Sequence, residues 1–173
     1  MSERSKKLTC HVVSLPSRSP EDTLRIGYVL GSVLEKPPLL ISLIGELGVG
    51  KTVFVKGFAC ALGLSMDSIT SPTFVIANEY ELTTSLRLIH ADLYRIESRT
   101  ELENAGFLDW IGPGAITLVE WGDRVADALP EDHLKVVFSR GEDENERGIR
   151  VSATGSLSSL LIEKSRSELT IQV

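Results

Sequence analysis

The sequence predicts an α/β fold with three layers and a mainly parallel central sheet. Strand-like and helix-like segments alternate through the first two thirds of the chain. The run Leu39 to Ile44 is apolar without alternation, as expected of a strand buried on both faces. The last third is richer in strand, which places antiparallel strands toward the C-terminus. The 173 residues suit one domain (1–173) with its own core, and 42 % hydrophobic against 24 % charged residues excludes a disordered chain.

Residues 1–7 form a polar arm, and Leu8 to Leu15 reads as a strand. Ser19-Pro20-Glu21-Asp22 starts a helix: a capping serine, proline in the first turn, then acids that complement the helix dipole. Ile26, Val29, Leu30, Val33 and Leu34 give that helix its core-facing stripe, and Pro37-Pro38 ends it. A second helix carries Phe54, Val55, Phe58, Ala61 and Leu62 on one side and closes at Gly63. Phe74 to Glu81 and Leu86 to Asp92 are strands around a Thr83-Thr84-Ser85 turn. Thr100 to Trp110 is helical but broken at Gly106, with Phe107 and Trp110 packing beneath it. Ala115 to Val119 is a buried strand, and Asp123 to Leu129 a short helix. Leu134 to Ser139 and Ile149 to Ala153 flank a charged hairpin loop, Gly141 to Gly148. Ser156 to Glu163 is the last helix, and residues 164–173 are a weakly determined tail.

The net charge is −6, which argues against a free-standing nucleic-acid binder. Cys10 and Cys60 lack the spacing of a zinc or redox pair and read as small hydrophobes; two reduced cysteines suit a cytoplasmic protein. No apolar run reaches signal-peptide or membrane-span length. His90 reads as a strand histidine with a packed neighbour, and His11 and His133 as incidental.

Gly45-Glu46-Leu47-Gly48-Val49-Gly50-Lys51-Thr52 fits the phosphate-loop pattern G-x-x-x-x-G-K-[ST] between the buried strand and a helix. Its glycines let backbone N–H groups turn toward phosphates, and the helix N-terminus adds its positive dipole end. Glu46, Leu47, Gly48, Val49, Gly50, Lys51, Thr52 and Val53 are therefore the candidate nucleotide-binding segment. Lys51 would neutralise the β- and γ-phosphates and Thr52 would bind Mg²⁺. Asp92 and Glu120 each end a strand, where open α/β sheets bind ligands. Glu120 is the metal-side carboxylate, directly or through water, and Asp92 orients or deprotonates the attacking water; spacing alone leaves these roles exchangeable. Ser71-Pro72-Thr73-Phe74 is a strand entry whose Thr73 can reach the γ-phosphate region. Trp121 is either core or a cover over the nucleotide or a partner.

Taken together, the phosphate loop, Ser71-Pro72-Thr73-Phe74 with Tyr80, His90-Ala91-Asp92-Leu93-Tyr94-Arg95, Glu101-Leu102-Glu103 with Gly106, Leu118-Val119-Glu120-Trp121, and Leu129-Pro130 resemble the TsaE (YjeE) family. These are bacterial ATPases of tRNA threonylcarbamoyladenosine synthesis. The resemblance covers roughly residues 20–155. Glu46 stands where Asp is common, Val53 where a second Thr is common, and Gly122 where Pro often follows the Trp. The resemblance implies a P-loop NTPase-like fold, ATP and Mg²⁺ as cofactors, and weak hydrolysis that partners stimulate. It implies TsaD and TsaB as partners, with this subunit resetting their transferase complex between turnovers and meeting tRNA only through it. By the same resemblance Thr73 becomes a switch residue and Trp121 a nucleotide- or partner-side residue.

Other readings of the loop are a small-molecule or nucleotide kinase, a GTP-driven switch and a silent binding module. The kinase lacks a visible Arg-dense lid segment. The switch lacks an N-K-x-D for guanine, and its Asp109-Trp110-Ile111-Gly112 match lies in a helix. The silent module sits poorly with a complete set of Lys51, Thr52, Asp92 and Glu120.

Overall fold

A computed structural model describes residues 11–35, 37, 39–72 and 75–170. The elements in order are β1 (Val12–Ser17), α1 (Pro20–Ser32), β2 (Leu39–Ile44), α2 (Lys51–Ala61), β3 (Ala77–Thr83), β4 (Leu86–Asp92), α3 (Arg99–Asn104), α4 (Phe107–Trp110), β5 (Ala115–Glu120), β6 (Leu134–Arg140), β7 (Arg147–Ala153) and α5 (Ser156–Thr170). Short 3₁₀ turns cover Met66–Ser68 and Gly122–Ala128. Among the described residues, no helix is long and apolar enough to cross a membrane.

The seven strands form one sheet in the order β1-β7-β6-β2-β5-β4-β3. β6, β2, β5 and β4 run parallel in the centre. The antiparallel strands lie at both edges: β7 and β1 beyond β6, and β3 beyond β4. The predicted parallel centre is thus present, and the antiparallel additions include a mid-chain strand as well as the C-terminal ones. A hairpin explains the difference. The tight turn after β3 can only return the chain antiparallel, whereas parallel pairs need a long crossover.

β2 shows why the centre must be covered on both faces. Leu39, Ile41 and Leu43 enter the core under α1, α2 and α5, while Leu40 enters a second core with Ile96, Leu102, Phe107, Trp110 and Val125. On β5, Ile116 and Leu118 face the first core, and Ala115 and Val119 the second. Period-two alternation between two apolar layers is what the uninterrupted sequence of β2 encodes. Phe107 and Trp110 pack edge to face, 5.8 Å between centroids, inside the second core.

α2 is placed by an unusually close crossing with α1. A Cβ on Gly27 would overlap the Phe54 carbonyl, and one on Gly57 the Leu24 carbonyl. Glycine lets the two backbones touch, and Phe54 and Phe58 fill the space beside them with no exposure. α5 extends to Thr170, beyond the predicted end near Glu163, because its stripe continues through Leu161, Ile162, Ser165 and Leu169, all buried against the first core. Its N-terminus is capped by a residue far away in sequence. Asp132 accepts from the backbone N–H of Leu157 at 2.7 Å and of Ser158 at 3.0 Å, and from the Ser158 hydroxyl at 2.7 Å. The predicted strand Leu8 to Leu15 lies partly outside the described residues, as does Cys10; strand pairing is observed from Val12. Cys60 is half-buried.

Gly57→Ala should force α1 and α2 apart, since the neighbour is backbone and cannot turn away. A net loss of about 2 kcal/mol, or a Tm about 4–8 °C lower, is expected by calorimetry. Asp132 gives a pH signature. Burial pushes its carboxyl up, but the bonds from Leu157 and Ser158 and the nearby His133 outweigh this and hold it below the usual range. A lowered folded-state value stabilises the protein above the unfolded value of about 3.9 and loses that contribution as pH falls through the folded one. Asp132→Ala should therefore cost about 1 kcal/mol near neutrality, with the gap to the parent closing below about pH 4 in urea titrations.

Candidate functional site

The site forms where β2, β4 and β5 end together. Leu43 pairs with Glu120 and Asp92 pairs with Glu120, so the register alone sets both acids beside the loop that leaves β2. The ladder continues one residue further, with Trp121 N–H donating to Leu43 at 2.9 Å and Leu93 N–H to the Glu120 carbonyl at 3.0 Å.

The loop from Gly45 to Gly50 needs its glycines. Gly48 and Gly50 have φ of 74° and 110°, the left-handed region that aims successive N–H groups to one side. Val49 is 1 % exposed and pins the loop to the core, so only its backbone is available to a ligand. The Glu46 carboxylate is likewise turned away, to Arg140 at 3.2 Å. Leu47 is 73 % exposed at the loop tip. Two arginines from the strands flanking the charged hairpin brace the loop from outside. Arg140 donates to the Leu47 carbonyl at 3.1 Å, and Arg147 to the Val49 carbonyl at 3.1 Å. Neither was singled out by the sequence. Their role depends on β6 and β7 lying beside β2, which no local pattern reveals.

Lys51 opens α2 and is buried. Its ammonium donates to the carbonyls of Gly45 and Glu46, each at 2.8 Å, and sits 4.1 Å from the centroid of the Trp121 ring. Burial pulls its pKa below the ordinary lysine value, against the nearby charges of Glu120, Asp92 and Asp123. The next residue, Thr52, donates its hydroxyl to Glu120 Oε1 at 2.7 Å. His90 Nε2 lies 2.9 Å from the same oxygen. Asp92 Oδ1 accepts from the Tyr94 N–H at 2.9 Å, and burial, reinforced by Glu120, pushes its carboxyl above the usual range.

Trp121 is the one non-glycine residue with positive φ, 62°, among the described residues. It is half-buried, and its ring meets Tyr94 at 5.2 Å, with Arg124 donating to the Tyr94 carbonyl. A cavity of about 820 Å³ opens here, lined by Leu47, Gly48, Gly50, Lys51, Thr52 and Val53, by Asp92, Glu120 and Trp121, and on its far side by Ile96, Asn104 and Ala105. Of the predicted site residues, Leu47, Gly48, Gly50, Lys51, Thr52, Val53, Asp92, Glu120 and Trp121 gather here, while Ile96, Asn104 and Ala105 come from the structure alone. Glu46 and Val49 join through the loop backbone alone. Thr73 and Phe74 lie outside the described residues.

A parallel strand, a glycine loop and a helix beginning with Lys51-Thr52 define a protein of the phosphate-loop α/β class. Comparison with known proteins narrows this. The family model "Threonylcarbamoyl adenosine biosynthesis protein TsaE" matches residues 17–149. The tRNA threonylcarbamoyladenosine biosynthesis protein TsaE of Bacillus subtilis is 38 % identical over 146 residues, covering 84 % of this chain and 89 % of the relative. The protein of that name from Treponema pallidum is 42 % identical over 115 residues, 66 % of this chain and 82 % of its own length. The crystal structure of Bacillus subtilis YdiB superposes with a TM-score of 0.72 at 33 % identity, over 92 % of this chain and 97 % of that one. The chain belongs to the TsaE family of threonylcarbamoyladenosine biosynthesis proteins.

The bracing of the loop is testable without any ligand. Arg147→Ala removes a charged donor from the Val49 carbonyl. Amide hydrogen exchange of the loop should speed up about tenfold, while the β2 amides keep their protection.

Proposed function

We propose that this protein is a Mg²⁺-dependent ATPase of the cytoplasm that resets the TsaD–TsaB threonylcarbamoyl transferase complex between turnovers. The observation that carries the reading is the meeting of Lys51, Thr52 and Glu120 at the end of β2. The donor set suits the ion: Thr52 Oγ1 and Glu120 Oε1 are hard oxygens 2.7 Å apart, and Mg²⁺ takes few protein ligands beside phosphate oxygens and water. The volume of about 820 Å³ suits a nucleotide-sized ligand.

In this reading the loop N–H groups and the α2 N-terminus receive the phosphates. Lys51 exchanges its carbonyl partners for phosphate oxygens. Thr52 and Glu120 would hold Mg²⁺, which would supply neutralisation of phosphate charge. Asp92 accepts the proton of the attacking water; its raised pKa makes it the more basic of ordinary carboxylates. Trp121 covers Lys51 and limits water access. Thr73 is the switch residue of the same proposal.

The rim supports a protein partner. Leu47, Val75, Ile76 and Tyr94 leave apolar surface exposed around the mouth of the cavity. A net charge of −6 favours contact with tRNA through TsaD and TsaB rather than directly.

Lys51→Ala and Glu120→Ala should each abolish support of tRNA modification in a system reconstituted with TsaB, TsaD and tRNA; full modification by both variants would overturn the reading. Asp92→Asn should keep ATP binding and lose turnover by about a hundredfold or more. Phosphate release from ATP should be slow for the protein alone and rise strongly with the partners. Transfer that requires a small-molecule acceptor would assign a kinase instead.

A further inference from the structure

His90 is 0 % exposed, in the middle of β4, and pairs with Leu118 in the register of β5. Two residues further along both strands stand Asp92 and Glu120. Side chains two apart share a face of the sheet, so the imidazole lies directly beneath the two acids. Its Nε2 is 2.9 Å from Glu120 Oε1, the same oxygen that accepts the Thr52 hydroxyl at 2.7 Å.

A carboxylate oxygen only accepts, so Nε2 carries the hydrogen. Nδ1 is buried without a hydrogen-bond partner among the described residues. A buried imidazole with one nitrogen unmatched is costly to keep in an apolar strand. Among the described residues, the ring's one hydrogen bond is with Glu120. We propose that His90 is a positioning residue that holds the Glu120 carboxylate toward Thr52 and so sets the Mg²⁺ site before the metal arrives. This rests on the reading that Thr52 and Glu120 hold the ion. Residues that orient a metal ligand typically contribute tenfold to a hundredfold in metal affinity.

The test is ATP binding by calorimetry, with Mg²⁺ titrated and with Mg²⁺ removed by chelation. The Asn amide reaches only to about the place of Nδ1, whereas the Gln amide reaches that of Nε2. His90→Asn should raise the Mg²⁺ concentration for half-maximal effect about tenfold and leave metal-free ATP binding within about twofold. His90→Gln should recover most of that loss. A merely structural histidine predicts equal losses with and without metal, and no rescue by Gln; either result overturns the proposal. A parent protein whose ATP binding ignores Mg²⁺ overturns the metal reading itself, and this inference with it. Unmutated protein gives a measurement that does not depend on how the variants fold. Nitrogen-15 spectra of its histidine side chains should show His90 as the Nε2–H tautomer, with Nε2 shifting on addition of Mg²⁺ to the ATP-bound protein and not on addition of ATP alone. An Nδ1–H tautomer, or a resonance blind to Mg²⁺, rules the role out.

Discussion

The hydrogen bond from Thr52 to Glu120 spans 68 residues of sequence, and the rest of the molecule is arranged around it. It requires β2 and β5 to be parallel neighbours in one register, because a slip of one residue would turn Glu120 to the other face. It also requires α2 to start immediately after the loop and to stay close to the sheet. The contact of Gly27 and Gly57 with the facing backbones fixes that second condition. The alternating cores above and below β2 fix the first.

Much of this was legible because it is local. The glycine loop between a doubly buried strand and a helix is a pattern of consecutive residues, and its physical meaning travels with it. Asp92 and Glu120 could be read as strand-end acids, since a buried strand that closes on a charge points to the open end of a parallel sheet. Spacing leaves open which acid faces the start of α2; in the structure Glu120 touches Thr52, while Asp92 is tied to the Tyr94 amide. His90 was legible as a strand histidine but not as the neighbour of Glu120, because that contact joins two strands 30 residues apart. Arg147 reads as part of a wet hairpin loop, and Arg140 lies just before it with no reading of its own. Only the strand order shows that this hairpin lies beside the phosphate loop. The same limit hid Asp132, a cap supplied from the segment before β6 to a helix that follows β7.

The backbone at Trp121 shows how the end of β5 is held. A left-handed conformation costs a non-glycine residue about 1–2 kcal/mol. Three contacts offset it: the amide bond to Leu43, the Lys51 ammonium against the ring face, and the tilted packing on Tyr94. Each contact partner belongs to a different part of the site: the strand before the loop, the first residue of α2, and the segment after β4. The strained residue therefore ties three otherwise separate segments to one point, and Arg124 extends the tie by clamping Tyr94.

Lys51 occupies the most constrained position of all. Burial disfavours its charge, and the carbonyls of Gly45 and Glu46 compensate with two neutral acceptors. Charged acceptors bind an ammonium about twice as strongly as neutral ones. An incoming phosphate therefore offers Lys51 a better partner than its own loop does. The lysine thus closes its own cradle, and under the proposed function the phosphates would supply the negative charge that draws it out. A neutral molecule of the same shape would leave that lysine where it is, so under the proposed function the loop would select for an anion before any contact with a base or sugar is made.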